Sequence, residues 1–303
     1  MKKEDVLVKQ YPVKTVTLKN GETLAYREAG SGAKTVFLVH GNMSSSVHWQ
    51  TVMEALEGEY RVVAPDMRGF GDSSYFKRFD SLRELAEDLE LFADAIGLEK
   101  FSVVGWSTGG GVVLEMAADM PDRVEKAILL DSVPPTGYPI FKKDENGQPI
   151  LTQLLKTKEE IAADPVQVAP VLLAYATNNR EIMRSIWNAV IYNMVQPSAE
   201  DYEEYLTAML KQKNLVDIDY SLLNFNMTDA PTLSAPGSGR LKAVKCPVVI
   251  FHGEKDMVVP FAWGQATHAL IPGSELVTFE NAGHSVITDD LPLFVAALKK
   301  ALN

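Results

Sequence analysis

Two short β-type runs open the chain, KTVTL at 14–18 and TLAYREA at 23–29, and Asn20-Gly21 between them is a strong signal for a tight hairpin. The pattern then changes. Apolar runs alternate with amphipathic stretches: TVFLVH (35–40), a helix near 47–57, RVVAP (61–65), a helix near 82–96, FSVVG (101–105), a helix from about 108, and KAILLD (126–131). Unbroken apolarity in these strands, in place of in-out alternation, means that both faces of the sheet are covered. A βαβ series follows, with a mostly parallel central sheet and helices on both faces.

The series stops at Asp131 and resumes at CPVVIFHG (246–253), followed by a helix near 260–270, ELVTF (275–279) and a last helix LPLFVAALKKAL (291–302). Segment 133–242 opens with Pro134-Pro135-Thr136-Gly137 and closes with the loop-like PTLSAPGSG. Between these lie helical patterns: ILTQLLKTKEEIAA, PVLLAYATNN, EIMRSIWNAVIYNMV and SAEDYEEYLTAMLKQKN, the last with an N-terminal signal at Ser198 and Asp201. The expected organisation is an α/β core from 1–132 and 243–303, with 133–242 inserted as a helical cap.

Composition narrows what this fold can do. The chain has 303 residues, 46% hydrophobic and 23% charged, which excludes disorder and coiled coil. A net charge of −11 and a pI near 5.0 repel phosphate backbones and anionic lipid surfaces, so no nucleic-acid partner is expected. No apolar run reaches the ~18 residues of a membrane span, and the basic start MKKEDVLVKQYPV lacks the apolar stretch of a signal peptide. Cys246 is the single cysteine, which leaves no disulfide framework. A cytoplasmic protein is expected. The five histidines show no metal-ligand spacing, so neither a metal nor another cofactor is expected. The pattern does not set an oligomeric state.

The strongest local signal is Gly105-Trp106-Ser107-Thr108-Gly109, a G-x-S-x-G placed directly after an apolar strand and before a helix. Such a turn needs neighbours without bulk, and it exposes the serine hydroxyl at a helix N-terminus that favours negative charge. Serine is a weak nucleophile at neutral pH and needs a base. His284, in the loop Asn281-Ala282-Gly283-His284-Ser285 after the last strand, is the candidate; His40, His48, His252 and His268 sit at strand ends or in helix patterns and read as structural. An acid must fix the imidazole, and two aspartates end late strands: Asp256, the favoured one, and Asp131, the fallback. Two N–H donors are needed for a developing oxyanion, and Thr108 and the backbone of Asn42 in His40-Gly41-Asn42-Met43 stand at the right places. Met43 and Trp106 beside these groups are candidate substrate contacts. Met183, Trp187, Tyr192, Met194, Tyr205, Met209 and Phe225 offer an apolar, adaptable cap lining, with Trp187 and Met194 as its candidate contacts.

HGN, PDMRGFGDSS (65–74), GWSTGG, PDRVEKAIL (121–129), HGEKDMVVP and NAGHS occur in an order that resembles the α/β-hydrolase family over almost the whole chain. The resemblance implies the α/β-hydrolase fold and ester hydrolysis through a serine. Haloalkane dehalogenases and epoxide hydrolases look similar at HGN but place aspartate where this chain has Ser107. Within the family, HGNMSSSVHW, GWSTGGG and LLDSVPPTGYPIF resemble the intracellular poly(3-hydroxybutyrate) depolymerases of bacilli. That likeness implies a polyester or small-molecule ester substrate. Other activities on the same scaffold are cofactor-free haloperoxidation and carbon–carbon bond hydrolysis; a non-catalytic binding module is a further alternative.

Overall fold

The computed structural model describes residues 9–303, so most of the stretch read above for a leader lies outside it. The first half runs β1 (Lys14–Thr17), β2 (Thr23–Ala29), β3 (Thr35–Val39), α1 (Gln50–Leu56), β4 (Arg61–Pro65), α2 (Leu82–Ala95), β5 (Phe101–Trp106), α3 (Thr108–Asp119) and β6 (Val124–Leu130). An excursion follows: a hairpin of β7 (Phe141–Lys143) and β8 (Pro149–Leu154), then α4 (Lys158–Ala162), α5 (Ala169–Thr177), α6 (Arg180–Val190), α7 (Ala199–Met209) and α8 (Leu215–Leu223). The chain returns with β9 (Val248–Gly253), α9 (Phe261–Leu270), β10 (Glu275–Phe279), α10 (Val286–Asp289) and α11 (Leu291–Leu302).

Eight strands form one sheet in the order β1-β2-β4-β3-β5-β6-β9-β10. The pairs from β4 to β10 are parallel, and β1 and β2 join antiparallel at one edge. β6 pairs directly with β9, Ala127 opposite Val248, so the excursion leaves and re-enters without interrupting the sheet. This is an α/β-hydrolase fold.

The unbroken apolar strands serve two cores. In β3, Val36 and Leu38 pack with Val52 and Met53 of α1 and Phe294 and Leu298 of α11 on one face. Phe37 and Val39 pack on the other, with Leu89 and Phe92 of α2 and Val112 and Met116 of α3. Burying each such side chain contributes about 1.5–3 kcal/mol, which fixes the register of the strand that leads to the site. α2 starts where Ser81 accepts a hydrogen bond from the Glu84 N–H, satisfying one of the free donors at the helix end.

Three expectations need correction. The stretch read as one helix from 150 is strand β8, paired with β7, and only 158–162 is helical. Helix α8 was not foreseen; it is fastened by the buried Asp217, which takes Arg78 at 2.6 Å and Lys158 of α4 at 2.6 Å. The helix near 47–57 begins as a single tight turn, Ser46–Trp49, before α1 proper.

Candidate active site

Between the last residue of β5 and the first of α3 there is room for one residue, and Ser107 makes the turn alone with φ 56° and ψ −121°. For a residue with a side chain that conformation costs on the order of 1–3 kcal/mol and persists only where the surroundings enforce it. The glycines allow the enforcing contacts. A Cβ on Gly105 would lie 2.3 Å from the Gly109 carbonyl oxygen, and one on Gly109 2.4 Å from that of Val39. The tight strand-to-helix packing therefore excludes any side chain at either place.

His284 arrives on the loop after β10, 2% exposed. Its Nδ1 donates to Asp256 Oδ2 at 2.8 Å, while Asp256 Oδ1 accepts the N–H groups of Val258 at 2.7 Å and Val259 at 2.9 Å. With three donors aimed at it, the carboxylate is held in place and fixes the imidazole tautomer. That leaves Nε2 for a cavity of about 130 Å³ lined by both His284 and Ser107. The Trp106 indole N–H donates to the His284 carbonyl at 2.8 Å, and the Gly283 N–H donates to Asp289 Oδ2 at 2.7 Å, so the histidine loop is tied at two points.

Asp131 sits close by but in another role. It is fully buried, with Oδ1 accepting the Gly253 N–H at 2.8 Å and Oδ2 without a partner. Burial, and then the neighbouring Asp256, push its carboxyl well above the usual carboxylate range. Asp131, His252 and Asp256 bring potential ligand atoms within 4.8 Å of one another. A metal does not fit them: Asp256 is committed to His284 and two backbone amides, and His252 Nε2 donates to the Val259 carbonyl at 2.9 Å. The remaining His252 nitrogen, Nδ1, faces the backbone of Gly264 in α9.

The turn after β3 lies against Ser107: a Cβ on Gly41 would be 2.9 Å from Ser107 Cβ. Buried His40 holds the turn, its Nδ1 donating to the Gly41 carbonyl at 2.8 Å and its Nε2 accepting the Met67 N–H at 3.0 Å. Burial lowers its pKa and keeps it neutral. Met43 takes φ 54°, and its N–H is bonded to Asn42 Oδ1 at 2.9 Å and Gln212 Oε1 at 3.0 Å. Asn42 and Thr108 both line the cavity, and the Thr108 N–H, first in α3, has no intrahelical acceptor. The arrangement of hydroxyl, imidazole, carboxylate and two backbone amides around one space has the chemistry of acyl transfer.

A family model described as "alpha/beta hydrolase fold" matches residues 34–291. The chain belongs to that family. The bifunctional esterase/perhydrolase of Acinetobacter calcoaceticus is 28% identical over 283 residues, covering 91% of this chain and 94% of that protein. A non-heme haloperoxidase of Rhodococcus erythropolis is 26% identical over 280 residues, covering 90% and 93%. Among solved structures, an esterase from Exiguobacterium antarcticum superposes with a TM-score of 0.71 at 20% identity over 95% of this chain and 98% of that one, a likeness of fold.

In this α/β-hydrolase, Met43 lines the cavity, whereas Trp106, Trp187 and Met194 are not among its lining residues. Trp187 is fully buried between Trp106, His48 and Tyr192, with ring centroids 5.0–6.2 Å apart. Met183, Tyr192, Tyr205 and Met209 belong to the same packed layer, and Met194 is 40% exposed. For all of these but Met194 the spacing marks core, not wall. Nine of the sixteen lining residues nevertheless come from 133–242, among them Tyr138, Ile140, Val168 and Leu222. The sequence reading missed Asp219, which lines the cavity from α8 and is pushed up to about 7 by burial and then by the charge of Asp164. A larger groove of about 740 Å³ lies near the start of β9, at the opposite ends of the strands from Ser107 and His284. Among the described residues no helix is long and apolar enough to cross a membrane.

Proposed function

We propose that the protein hydrolyses carboxylic esters through an acyl-enzyme on Ser107. His284 Nε2 takes the Ser107 proton as Oγ adds to the ester carbonyl, and the oxyanion rests on the Asn42 and Thr108 N–H groups. Collapse breaks the carbonyl–alkoxy bond, and the imidazolium gives its proton to the leaving alcohol. Water, deprotonated by the same histidine, then releases the acid. Asp256 holds the imidazole by Nδ1 and stabilises the imidazolium. The observation that carries this reading is the His284–Asp256 bond at 2.8 Å beside a cavity that Ser107 shares.

The acyl group is short. At roughly 30 Å³ for each water-sized group, a cavity of about 130 Å³ takes an acyl unit near butyrate in size. Segment 133–242 acts as the cap that walls this space. An acyl unit of that size, together with the likeness around Ser107, favours 3-hydroxybutyrate polyester or its oligomers as the natural substrate. Cleavage of a carbon–carbon bond in an acidic dicarbonyl is disfavoured, because no Lys or Arg is among the described residues that line the cavity to pair with a substrate carboxylate. Hydrolysis rates on p-nitrophenyl acetate, butyrate and octanoate, beside 3-hydroxybutyrate release from amorphous granules, test the reading. Butyrate should be preferred to octanoate. Absence of 3-hydroxybutyrate from both granules and soluble oligomers would remove the polyester and leave the short-chain esterase.

A further inference from the structure

The turn that carries Asn42 is clasped from outside the core. Gln212 lies between α7 and α8, is 4% exposed, and places its side-chain amide across the turn. Its Oε1 accepts the Met43 N–H at 3.0 Å, and its Nε2 donates to Asn42 Oδ1 at 2.8 Å. Asn42 Oδ1 also accepts the Met43 N–H at 2.9 Å, and Asn42 Nδ2 donates to Asp219 Oδ1 at 3.2 Å.

Gln212 is itself fixed. The Tyr175 hydroxyl of α5 donates to Oε1 at 2.9 Å, and Nε2 donates to Asn214 Oδ1 at 2.8 Å. Asn214 Nδ2 in turn donates to the Arg68 carbonyl at 2.6 Å, and the Lys213 N–H to that of Gly69 at 2.8 Å. The connection between α7 and α8 is thus seated on the core at 68–69 and grips the turn at 42–43. Met43 needs such a grip, because its φ of 54° is a conformation that a side-chain-bearing residue abandons unless held. The Asn42 N–H lies in the peptide plane before Asn42, whose Gly41 carbonyl accepts His40 Nδ1 at 2.8 Å and Ser44 Oγ at 2.9 Å. Gln212 holds the Asn42 side chain and the peptide plane after it, so Asn42 is fixed on both sides of its Cα and its N–H cannot swing.

We propose that Gln212 is a positioning residue for the oxyanion site, completing it through the Asn42 side chain from the segment that also walls the acyl cavity. This rests on the esterase reading above. A donor must be aimed at the oxygen as it becomes tetrahedral, so loss of the clasp lowers turnover and leaves ground-state binding nearly untouched. A segment that both encloses the acyl group and aims the donor also links enclosure to chemistry: displaced, it releases the turn.

The test compares wild type with Gln212→Leu, Asn42→Ala and the double variant. Asn42→Ala keeps the backbone donor and deletes only the clasped side chain. Each single variant should lose about 10- to 100-fold in kcat on p-nitrophenyl butyrate with KM within about threefold. The double variant should lose no more than the worse single one, since both cut one device. Affinity for an alkyl trifluoromethyl ketone, whose carbonyl takes Ser107 Oγ and leaves its oxygen at the oxyanion position, should fall by the same factor as kcat. Affinity for butyrate should not fall with it. If folded Gln212→Leu weakens the ketone no more than butyrate, or if the two losses multiply, the positioning role is wrong. If instead the wild type forms no adduct on Ser107, the esterase reading itself fails.

Discussion

The core and the excursion between β6 and β9 divide the work of this site unequally. The core supplies every group proposed to react: Ser107 at the end of β5, Asp256 after β9 and His284 after β10. The excursion supplies nine of the sixteen residues around the cavity, and Gln212 on the oxyanion turn. Parallel strands covered on both faces fix their ends in space, so a residue at a strand end inherits its position from the whole sheet. The excursion has no strand in that sheet and is fastened to it by side chains, the packed layer around Trp187 and devices such as the Asp217 ion pairs and the Gln212 amide. On the proposed mechanism the reacting groups come from the ends of the sheet strands, and most of the cavity wall from what is laid over them.

Substitutions can break or sharpen that division. Ser107→Ala and His284→Ala should each lower kcat by on the order of 10⁶, measured on p-nitrophenyl butyrate, because nucleophile and base act as one unit. Asp256→Asn should cost roughly 10⁴ and Asp131→Asn far less. The reverse ranking would move the acid to the end of β6. Trp187→Ala should destabilise by about 3–5 kcal/mol in denaturant unfolding, yet leave acyl-chain preference unchanged, since Trp187 packs in the layer beneath the wall.

Widening the wall itself should do the opposite. Ile140→Ala should shift the octanoate-to-butyrate rate ratio upward by about tenfold, with the pH dependence of the rate unaltered. Asp219→Asn gives the smallest effect. Its carboxyl is raised from an ordinary 3.8 to about 7, so the fold favours the protonated form, and stability falls as pH rises between those values. The amide escapes that loss, so thermal unfolding should show Asp219→Asn more stable than wild type at pH 8 and the difference shrinking toward pH 4.

Legibility in the sequence followed the same division. The strands of the core read directly because short unbroken apolar runs such as TVFLV and FSVVG, bounded by turn signals, suit strands covered on both faces, and the Ser107 turn stood out because its glycines border such a strand. In the excursion, Ile150, Leu154, Leu155 and Ile161 mimic a helical repeat, and the hairpin β7–β8 was overlooked. Its turn carries Asn146-Gly147, with Gly147 at φ 77°, the same dipeptide that announced the first hairpin. α8 hid because Asp217, Asp219 and Ser221 break its apolar face; two of the three are buried for pairing or bonding, which no periodicity reveals. The Met and aromatic stripe, Met194 apart, is core and not wall, because helical spacing tells which residues face inward and not what they face.

The most direct test of the division is covalent labelling with an alkyl fluorophosphonate, read by peptide mass spectrometry in wild type, His284→Ala and Ile140→Ala. The account predicts one label, on Ser107, lost in His284→Ala and retained in Ile140→Ala, with a longer alkyl chain accepted by Ile140→Ala. A label on any other residue, or labelling of Ser107 that proceeds equally well without His284, would contradict it.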